Sequence, residues 1–572
     1  MILLVVFSST GASAIAGQQQ SWAGRFDRPQ PGFAPTSTTL REAQPDKVGL
    51  DPAPILDAER FLSNWTRDDP VTGHPHFSGA VGLLVHDGAI VDRYAVGGAV
   101  RYADAAGTEL PPDRQVPMRD DTIFDLASIT KLFTSIAVMQ LVEEGSADLD
   151  APVARYLPEF AAEGKQDVTL RQLLTHTSGL DADPVPPLWQ GYPDIPARRQ
   201  AVLHSALKNS PGSTYLYSDI NLMTLGFLIE HLTGKTLDQV VREKITTPLG
   251  MADTGFNPPA TKLDRIAATE DEASPPRGML RGQVHDENAW ALGGVAGHAG
   301  IFSTAGDLAL LSQAILNGGA YRGARILCPE TVQQMISDNN TAHPGQAHGL
   351  GFELDQMFYM GGLSSPATAG HTGFTGTSLV IDFRSRSIAV LLTNRVHPTR
   401  AWGSINLARE KWSTALARAL AVRPVRGADA WFSTIGDDST ATLTTRSLNP
   451  HGPLTVRFAA FVETEASDPL VVEMNTGGDW RPLPVRALGP GAPEGAVTEL
   501  SGHGHRAWWN VTVEVPAATQ VILRWRYRTD SRYTGRGLCV DGVRVTSYNA
   551  LLVDSERDPS SLSAIAWTLR SR

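Results

Sequence analysis

The spacing of apolar positions changes along the chain at about Pro424. Before that residue, apolar positions recur every three to four residues, which is the period of an amphipathic helix. This pattern predicts helices over 197–209, 219–233, 236–245, 305–317, 329–337 and 405–421. Two apolar runs joined by Asp87-Gly88 predict a β-hairpin over 79–99, because Asp-Gly favours the tight turn between paired strands. Further apolar runs predict strands over 376–383 and 387–394.

After Pro424, apolar and polar residues alternate instead. In "VILRWRYRT" (521–529), the aliphatic and aromatic residues fall on one side of an extended chain and the three arginines on the other. Such alternation is typical of an antiparallel strand with one buried face. We therefore predict a C-terminal β-sandwich domain over 424–572, separate from a domain of helices and strands over 45–423.

Composition narrows the functional classes. The 572 residues are 42% hydrophobic and 19% charged, which is typical of soluble globular proteins. A net charge of -11 and a pI near 5.8 argue against a nucleic-acid or anionic-membrane partner. After the N-terminal run no segment has the length of uncharged apolar sequence that a membrane span needs. Cys328 and Cys539 lie in apolar stretches of different predicted domains, and we expect two buried free thiols.

The N-terminus predicts export. Residues 1–16, "MILLVVFSSTGASAIA", form an apolar run followed by small residues, which fits a signal segment with its cleavage site. The signal is atypical because the first basic residue is Arg25, after the apolar run. The next residues are rich in Gln, Pro, Ser and Thr, which predicts a flexible lead-in over 17–44. We expect a bacterial protein that is secreted or associated with the cell wall.

A candidate nucleophile opens a largely apolar helix, "FDLASITKLFTSIAVMQLVEEG" (124–145). Ser128 and Lys131 are three residues apart and share one helix face. At a helix start, the serine lies near unpaired N–H groups and the positive end of the helix dipole. A desolvated lysine can assist deprotonation of the hydroxyl. Ser205 and Lys208 repeat the spacing, but Ser205 lies late in its predicted helix, so Ser128 is the stronger candidate.

Two further short motifs follow. Tyr217-Ser218-Asp219 stands at the start of a predicted helix, and His371-Thr372-Gly373 leads into a predicted strand. A glycine in that place lets a ligand approach the strand backbone. Each motif alone is weak, because a single tyrosine is usually a core residue and His-Thr-Gly is usually a turn.

In this order and on these element types, the three motifs resemble the serine penicillin-recognising family. That family includes class C β-lactamases, D,D-carboxypeptidases and β-lactamase-like esterases. The stretches "VTLRQLLTHTSGL", "PLGMADTGF" and "GVAGHAGIFSTAGDLALL" are also similar to it, and the resemblance covers about residues 45–421. It implies an α+β fold, with an antiparallel sheet flanked by helices and an all-helical region, placed before the C-terminal β-sandwich.

The resemblance also implies roles for the motif residues. Ser128 is the nucleophile, Lys131 supplies the field that favours its deprotonation, and Tyr217 is the base. Tyr217 would act as a phenolate, which requires its pKa to fall from about 10. The backbone N–H groups of Ser128 and Phe374 would form the oxyanion hole. Thr372 and Gly373 would contact the substrate.

The chain departs from the family pattern at two positions. Asp219 stands where asparagine is usual, and a carboxylate accepts but does not donate hydrogen bonds. His371 stands where β-lactamases mostly have lysine, and a histidine carries a cation only below its pKa of about 6.5. We expect His371 to assist binding of a substrate carboxylate as a titrating cation. Both departures argue against a dedicated β-lactamase.

One more stretch, "QVHDENAWALGGVAGHAG" (283–300), carries His285, Asp286 and His298. The spacing matches no short metal motif. We therefore favour structural histidines, or histidines at the rim of a pocket, over metal ligands. The stretch resembles the D,D-carboxypeptidase branch, so we expect His285 to lie at the substrate site. Neither a metal nor another cofactor is expected.

The leading hypothesis is an exported hydrolase that acts through an acyl-serine on D-Ala-D-Ala peptides of peptidoglycan or on related amides. The alternatives are a carboxylesterase on small acyl esters, a peptide-cyclising thioesterase of the penicillin-binding-protein type, and a non-catalytic sensor or cell-wall-binding protein. The expected partner is a small peptide or ester substrate, and the C-terminal domain is a candidate for binding cell-wall polysaccharide. The substrate stays open between peptide, ester and β-lactam.

Overall fold

The computed structural model describes residues 26, 27, 29–433, 435–548 and 550–571. The predicted signal segment, 1–16, lies outside the described residues. Where it is described, the lead-in predicted as flexible is packed: Ala34 is buried, and Arg41–Glu42 pairs with a strand of the main sheet. The prediction of flexibility was therefore wrong for the described residues of this segment, because residues distant in sequence contact it.

The main sheet has eight strands, and its β-hairpin joins two of them through Asp87-Gly88 as predicted. The strands are β1 (Arg41–Glu42), β2 (Gly79–His86), β3 (Ala89–Val100), β4 (Val116–Pro117), β5 (Glu353–Leu354), β6 (Thr368–Gly373), β7 (Thr377–Asp382) and β8 (Ser387–Thr393). The order is β1-β3-β2-β8-β7-β6-β5, with β4 beside β3. All pairs are antiparallel except β1 with β3. The sheet therefore joins both ends of the region predicted to be catalytic (45–423, called the catalytic region below) and places β6 and β5 at one edge.

Five α-helices of the described chain have twelve or more residues: α1 (Ala53–Trp65), α2 (Thr130–Glu143), α3 (Asp219–Thr233), α4 (Ala305–Leu316) and α5 (Asn406–Ala419). The shorter ones are Leu170–Leu174, Leu188–Gly191, Ile195–Leu203, Leu237–Val241, Thr247–Leu249, Glu287–Ala291, Pro329–Met335 and Met357–Met360. The helix predicted over 197–209 ends early, at Leu203, so Ser205 lies just beyond it. The prediction of 219–233 is confirmed at both ends.

Helix α2 lies in the middle of the catalytic region. Every residue from Thr130 to Leu141 is buried, which explains why its sequence is apolar on most faces. It packs with α3 and the main sheet in one extended apolar cluster. A second cluster lies where α1 and α5 cover the other face of the sheet. Short antiparallel sheets are added by Phe124–Asp125, Gly255–Phe256, Ile301–Ser303, Ala268–Glu272, Gly278–Arg281, Ala320–Tyr321 and Ala324–Arg325.

The chain after Pro424 forms two sheets. The eight-stranded sheet contains Ala430–Ser433, Leu454–Glu463, Val485–Leu488, Ala496–Val497, His503–Val515, Gly537–Ser547, Ala550–Asp554 and Trp567–Arg570. The five-stranded sheet contains Thr440–Thr445, Leu470–Asn475, Arg481–Pro482, Ile522–Arg528 and Leu562–Ile565. Both sheets contribute to one apolar cluster, distinct from those of the catalytic region. Leu523, Trp525 and Tyr527 are fully buried in it, as the alternation in 521–529 predicts.

A buried charged cluster joins this C-terminal region to the rest of the chain. Asp27 accepts from Arg506 at 2.7 Å and also pairs with Arg536. Arg506, with no exposed surface, also pairs with Asp382 at the end of β7, at 2.9 Å. Burial opposes the charge of Asp27, but Arg506 and Arg536 hold its pKa far below the usual range. These ion pairs are therefore fully charged cross-links between the two regions.

The fold also tests the expectation for the two cysteines. Both cysteines are free, and Cys539 is buried as expected, but Cys328 is exposed at the start of Pro329–Met335. The expectation of burial at Cys328 was wrong, because its short helix lies at the surface. Of the helices in the described part of the chain, none combines the length and the apolar character needed to cross a bilayer.

Candidate active site

Ser128 lies in a tight turn at the head of α2. The 3₁₀ turn Ala127–Ile129 leads directly into the helix. Ala127 has a positive φ of 47°, and its N–H donates to Asp125 Oδ1 at 2.8 Å. Positive φ in a residue with a side chain is a strained conformation that is enriched at functional sites. The turn leaves Ser128 partly exposed while its neighbours on both sides are buried.

Lys131 is almost completely buried beneath Ser128. Its Nζ donates to Ser128 Oγ at 2.8 Å and to the His298 carbonyl at 3.2 Å. It also forms an ion pair with Asp219 Oδ1 at 2.7 Å. Burial alone would lower the pKa of Lys131, but Asp219 and Tyr217 raise it above the usual value. The lysine is therefore an ammonium ion, and the unusual Asp219 is the carboxylate that keeps it charged.

Tyr217 completes the polar triad from the segment that precedes α3. Its ring stacks on His176 with centroids 4.6 Å apart, and Lys131 Nζ lies 4.8 Å from its centre. The hydroxyl faces Lys131 and Ser128, which both act to lower its pKa. Burial raises the pKa of Tyr217 to about 12, although Lys131 acts to lower it. The expectation of a resting phenolate was therefore wrong, because desolvation outweighs the attraction of the lysine.

The third motif is placed beside Ser128 by the end of β6. A Cβ on Gly373 would collide with the Thr377 hydroxyl and the Leu126 carbonyl, so only glycine fits this approach. Thr377 Oγ1 donates to the Leu126 carbonyl at 3.0 Å, and Thr375 Oγ1 donates to the Asp125 carbonyl at 2.7 Å. These bonds fix the backbone after β6 against the turn that carries Ser128.

His371 does not behave as predicted. It is buried, and its Nδ1 donates to the Thr372 carbonyl at 2.7 Å. Burial, followed by the nearby charge of Lys131, lowers the pKa of His371 to about 3. The ring is neutral at ordinary pH, so the expectation of a titrating cation was wrong. Its sequence neighbours Thr372 and Gly373 lie at the end of the strand, and Phe374 follows with 48% of its surface exposed.

Phe374 is supported by a charged second layer that contains His285. The His285 ring stacks on Phe374 at 5.7 Å, and its Nε2 lies 2.8 Å from Glu270 Oε2. His285 is only 2% exposed and lies behind Phe374, whereas the sequence predicted it at the substrate site. The guanidinium groups of Arg395 and Arg400 lie 4.5 and 5.5 Å from the Phe374 ring centre. The motif search missed both arginines because they are far from any motif in sequence.

Asp286 and His298 form a second pair beside Lys131. His298 Nε2 lies 2.9 Å from Asp286 Oδ1. Burial lowers the pKa of His298, but Asp286 reverses this and raises it above the usual value. Together with Asp219, this pair offers three ligand atoms within 4.8 Å of one another. The Lys131 ammonium already supplies positive charge at Asp219, so these residues are better suited to organise the lysine than to hold a metal.

Comparison with known proteins places this geometry in a family. A family model described as "Beta-lactamase" matches residues 67–410. The chain belongs to the Beta-lactamase family. As a member of the Beta-lactamase family it is a serine hydrolase, and the matched range contains Ser128, Lys131, Tyr217 and His371. The sheets after Pro424 lie outside that range.

Curated relatives of this Beta-lactamase family member match nearly two thirds of the chain. A protein of Escherichia coli (strain K12) named "Putative D-alanyl-D-alanine carboxypeptidase" is 35% identical over 389 residues, which is 63% of this chain and 86% of the relative. A protein of the same name from Salmonella agona (strain SL483) is 33% identical over 403 residues, or 65% of this chain and 90% of the relative. The solved structure of "EstCE1, a hydrolase with promiscuous acyltransferase activity" is 24% identical, covers 64% of this chain and 99% of its own, and has a TM-score of 0.49.

Proposed function

We propose that the protein is an exported hydrolase that removes the terminal residue of D-Ala-D-Ala peptides through an acyl-enzyme on Ser128. The observation that carries the proposal is the contact of Ser128 Oγ with Lys131 Nζ at 2.8 Å, with the Tyr217 ring centre 4.8 Å from the same Nζ. Such a nucleophile with adjacent proton-transfer groups is what acyl transfer requires. Relatives named for D-alanyl-D-alanine carboxypeptidase support the choice of substrate.

Acylation begins with a proton relay that uses the unusual Asp219. Ser128 Oγ attacks the peptide carbonyl carbon and gives its proton to Lys131. Since Lys131 is already an ammonium, it gives one of its own protons to Asp219, 2.7 Å away. The backbone N–H groups of Ser128 and Phe374 stabilise the developing oxyanion. The close packing of Gly373 on Leu126 supports this assignment, because it holds the two backbones together.

Tyr217 then acts as the general acid. Because its pKa is about 12, its hydroxyl carries a proton to give to the leaving amine as the C–N bond breaks. Water attacks the resulting ester, and its proton restores the Tyr217 hydroxyl. When the ester bond breaks, the proton held by Asp219 returns through Lys131 to Ser128 Oγ. The cycle consumes one water and leaves every side chain as it began.

Arg395 supplies the positive charge that His371 lacks. Its Nε donates to the Phe374 carbonyl at 2.9 Å and its Nη1 to the Gly403 carbonyl at 2.8 Å. Within the described residues, Arg395 has no carboxylate at ion-pair distance, whereas Arg400 pairs with Glu270 and Glu287. A partly exposed arginine of this kind, beside Phe374, suits the terminal carboxylate of a D-Ala-D-Ala peptide.

The arginine assignment has a specific test. Arg395→Ala should raise the KM for a D-Ala-D-Ala peptide by about 10- to 100-fold, which corresponds to one lost bond to a charged group. Turnover of an uncharged ester should change little, because the ester has no carboxylate. Arg395→Lys should recover part of the loss. Equal losses on both substrates would show that Arg395 supports Phe374 rather than the carboxylate.

A substrate comparison tests the proposed function itself. Release of D-alanine from an acylated L-Lys-D-Ala-D-Ala peptide is measured beside hydrolysis of short-chain nitrophenyl esters and of nitrocefin. We expect the peptide to have the highest kcat/KM and nitrocefin the lowest. Ser128→Ala serves as the blank for all three. A protein that hydrolyses none of them but is labelled by a fluorescent penicillin would be a sensor instead.

Carboxylesterase activity is the second candidate, and two observations favour it. His371 is neutral, and Asp219 is occupied by Lys131, so neither side chain offers a substrate the charge or amide that the family motifs usually provide. If the nitrophenyl esters exceed the peptide in kcat/KM by tenfold or more, the esterase assignment replaces the carboxypeptidase. A thioesterase that cyclises peptides would instead require a carrier-bound substrate.

We also propose that the chain is organised as two domains divided near Pro424 and is exported. The separate apolar clusters on either side of Pro424 support the division. The segment 1–16 supports export, and a carboxypeptidase of peptidoglycan would act outside the cytoplasm. We retain cell-wall polysaccharide as the predicted ligand of the C-terminal sheets. Secretion of the native gene product, followed by N-terminal sequencing, tests the export signal directly.

A further inference from the structure

A group of metal-ligating side chains lies where the C-terminal sheets meet the catalytic region. His503 Nε2 lies 3.1 Å from Asp355 Oδ1, and His505 Nε2 lies 3.6 Å from Asp355 Oδ2. The three ligand atoms fall within 4.8 Å of one another. None of these residues belongs to the active site described above. We propose that Asp355, His503 and His505 bind one divalent transition-metal ion, with Zn²⁺ as the best fit.

The distances suit a tetrahedral ion. Zinc bonds nitrogen and oxygen at roughly 2.0–2.1 Å, so two ligand atoms at the tetrahedral angle are roughly 3.3 Å apart. The 3.1 Å from His503 Nε2 to Asp355 Oδ1 is close to that value. His505 Nε2 lies 3.6 Å from the other oxygen, Oδ2, and the three ligand atoms lie within 4.8 Å of one another, so an ion would draw His505 towards it. Two imidazoles and one carboxylate form a ligand set that zinc accepts, with water in the fourth position. The His505 side chain is 35% exposed, which gives an ion a route from solvent.

A buried carboxylate orients the first histidine. Glu463 Oε2 lies 2.5 Å from His503 Nδ1, and the Glu463 side chain is 1% exposed. Histidines that bind metals usually donate their second ring N–H to a carboxylate or carbonyl, which fixes the ring and makes the other nitrogen a better ligand. Here that arrangement aims His503 Nε2 at Asp355. Ser364 Oγ similarly donates to Asp355 Oδ1 at 2.8 Å.

The backbone of the cluster is distorted so that it presents these side chains together. His505, Arg506 and Asp355 all have positive φ, at 53°, 54° and 53°. The strand His503–Val515 also bulges against its partner, since Glu463 pairs with His503 but Phe461 pairs with Trp508. Bulges of this kind redirect side chains, and strained residues cluster at binding sites.

The local charge favours a cation. Asp355 and Glu463 bring two carboxylates to the imidazoles of His503 and His505. The guanidinium of Arg506, which follows His505 in sequence, pairs with Asp27 and Asp382, and the backbone N–H of Arg506 donates to Glu463. Asp355 directly follows β5, at the edge of the sheet that carries His371. A bound ion would therefore tie that edge of the catalytic sheet to the C-terminal region.

Metal binding is measured on the untagged full-length protein after removal of metals with a chelator. Titration with Zn²⁺ should give one ion per chain, and Co²⁺ in its place should give the intense visible absorption of a tetrahedral site. His505→Ala should abolish that absorption and weaken Zn²⁺ binding by at least 100-fold, because one of three ligands is lost. Zinc should raise the Tm of the wild type by several degrees but not that of the variant.

Two control variants make the result decisive. His231→Gln changes an exposed histidine in the last turn of α3 and should leave one ion bound. Asp286→Asn alters the pair of Asp286 with His298 beside Lys131 and should also leave one ion bound. The proposal is overturned if wild type binds no Zn²⁺ at 100-fold molar excess, or if binding is lost in Asp286→Asn and kept in His505→Ala. If wild type binds no Zn²⁺, His503 is instead a protonated imidazole that bridges Asp355 and Glu463.

Discussion

Burial has opposite effects on charge in two parts of this molecule. Around Tyr217, it removes charge: the pKa of His348 falls to about 4, that of His371 falls to about 3, and that of Glu353 rises to about 7. At the contact with the C-terminal region, buried groups stay ionised, because Asp27 and Arg506 shift towards their charged forms. The groups in both regions are similarly buried, so desolvation alone does not decide whether a group is ionised.

The difference lies in the partners. Asp27 faces several guanidinium groups, and Arg506 faces two carboxylates, so attraction exceeds the cost of desolvation. His348 and His371 have mainly backbone carbonyls as partners. Two groups beside Ser128 are exceptions at the active site. Lys131 keeps its charge because Asp219 is 2.7 Å away, and Asp286 raises the pKa of His298 above its usual value. The active site therefore combines buried neutral groups with charges that persist only where an opposite charge lies beside them.

The largest effect is expected when the nucleophilic hydroxyl of Ser128 is removed. Ser128→Ala should lower kcat by roughly 10⁴-fold or more on every substrate, since no acyl-enzyme can form. The matched control is Ser205→Ala, whose hydroxyl donates to the Ala201 carbonyl beyond the end of a short helix. Its turnover should stay near wild type. Circular dichroism checks folding, and substantial activity in a folded Ser128→Ala protein would refute the site.

Tyr217→Phe should lower kcat by about 10²- to 10⁴-fold, the usual range for a general acid or base. Tyr215→Phe is the control, because Tyr215 is a neighbouring, largely buried tyrosine outside the triad. The pH profile sharpens the comparison. A neutral Tyr217 with a pKa of about 12 predicts no rise in kcat from pH 7 to 10. A tenfold rise per pH unit would instead mean that the rare phenolate is the active form.

Arg506→Met tests the charged region. Removal of one partner from a buried ion cluster typically costs about 3–5 kcal/mol, and Asp382 would lose its guanidinium here. We expect that loss in the free energy of unfolding, measured with urea, while kcat of the folded protein is unchanged. Arg457→Met, at an exposed position of Leu454–Glu463, should cost less than about 0.5 kcal/mol. Similar values for both variants would mean that the cluster is not a stabilising cross-link.

The smallest effect is expected from His371. A cation with the ordinary pKa would be lost as pH rises through about 6.5, so kcat/KM for carboxylate peptides would fall relative to esters. Because the pKa is about 3, the ring is already neutral at pH 5 and has no charge to lose. The ratio of peptide to ester kcat/KM should change less than twofold between pH 5.5 and 8. A clear fall in that ratio would show that His371 does titrate there.

Local patterns in the sequence were enough to predict much of the fold. The turn chemistry of Asp87-Gly88 predicted β2 and β3, the period of apolar residues predicted α3, and alternation predicted the buried face of Ile522–Arg528. Each of these signals depends on neighbours within a few residues. The prediction of 197–209 was less accurate because a helical period does not show where capping stops.

The electrostatics of the site could not be predicted in this way. The pKa of Tyr217 depends on burial by elements far apart in the chain, and the same holds for His371. The link between Asp219 and Lys131 spans 88 positions, and no local pattern reports it. The sequence marked Asp219 only as a departure from the family motif. That departure was the one available signal, and its physical meaning became visible only as an ion pair.

The pairing of Asp27 with Arg506 also has a consequence in time. The two residues are 479 positions apart. At a synthesis rate of about 5–20 residues per second, roughly 24–96 s pass between them. Once residue 219 has been made, the growing chain holds a complete Lys131–Asp219 pair but still lacks Arg506 for Asp27. The segment 26–44 therefore docks fully among the last events of folding, and chains that end before residue 506 should be most open to proteases there.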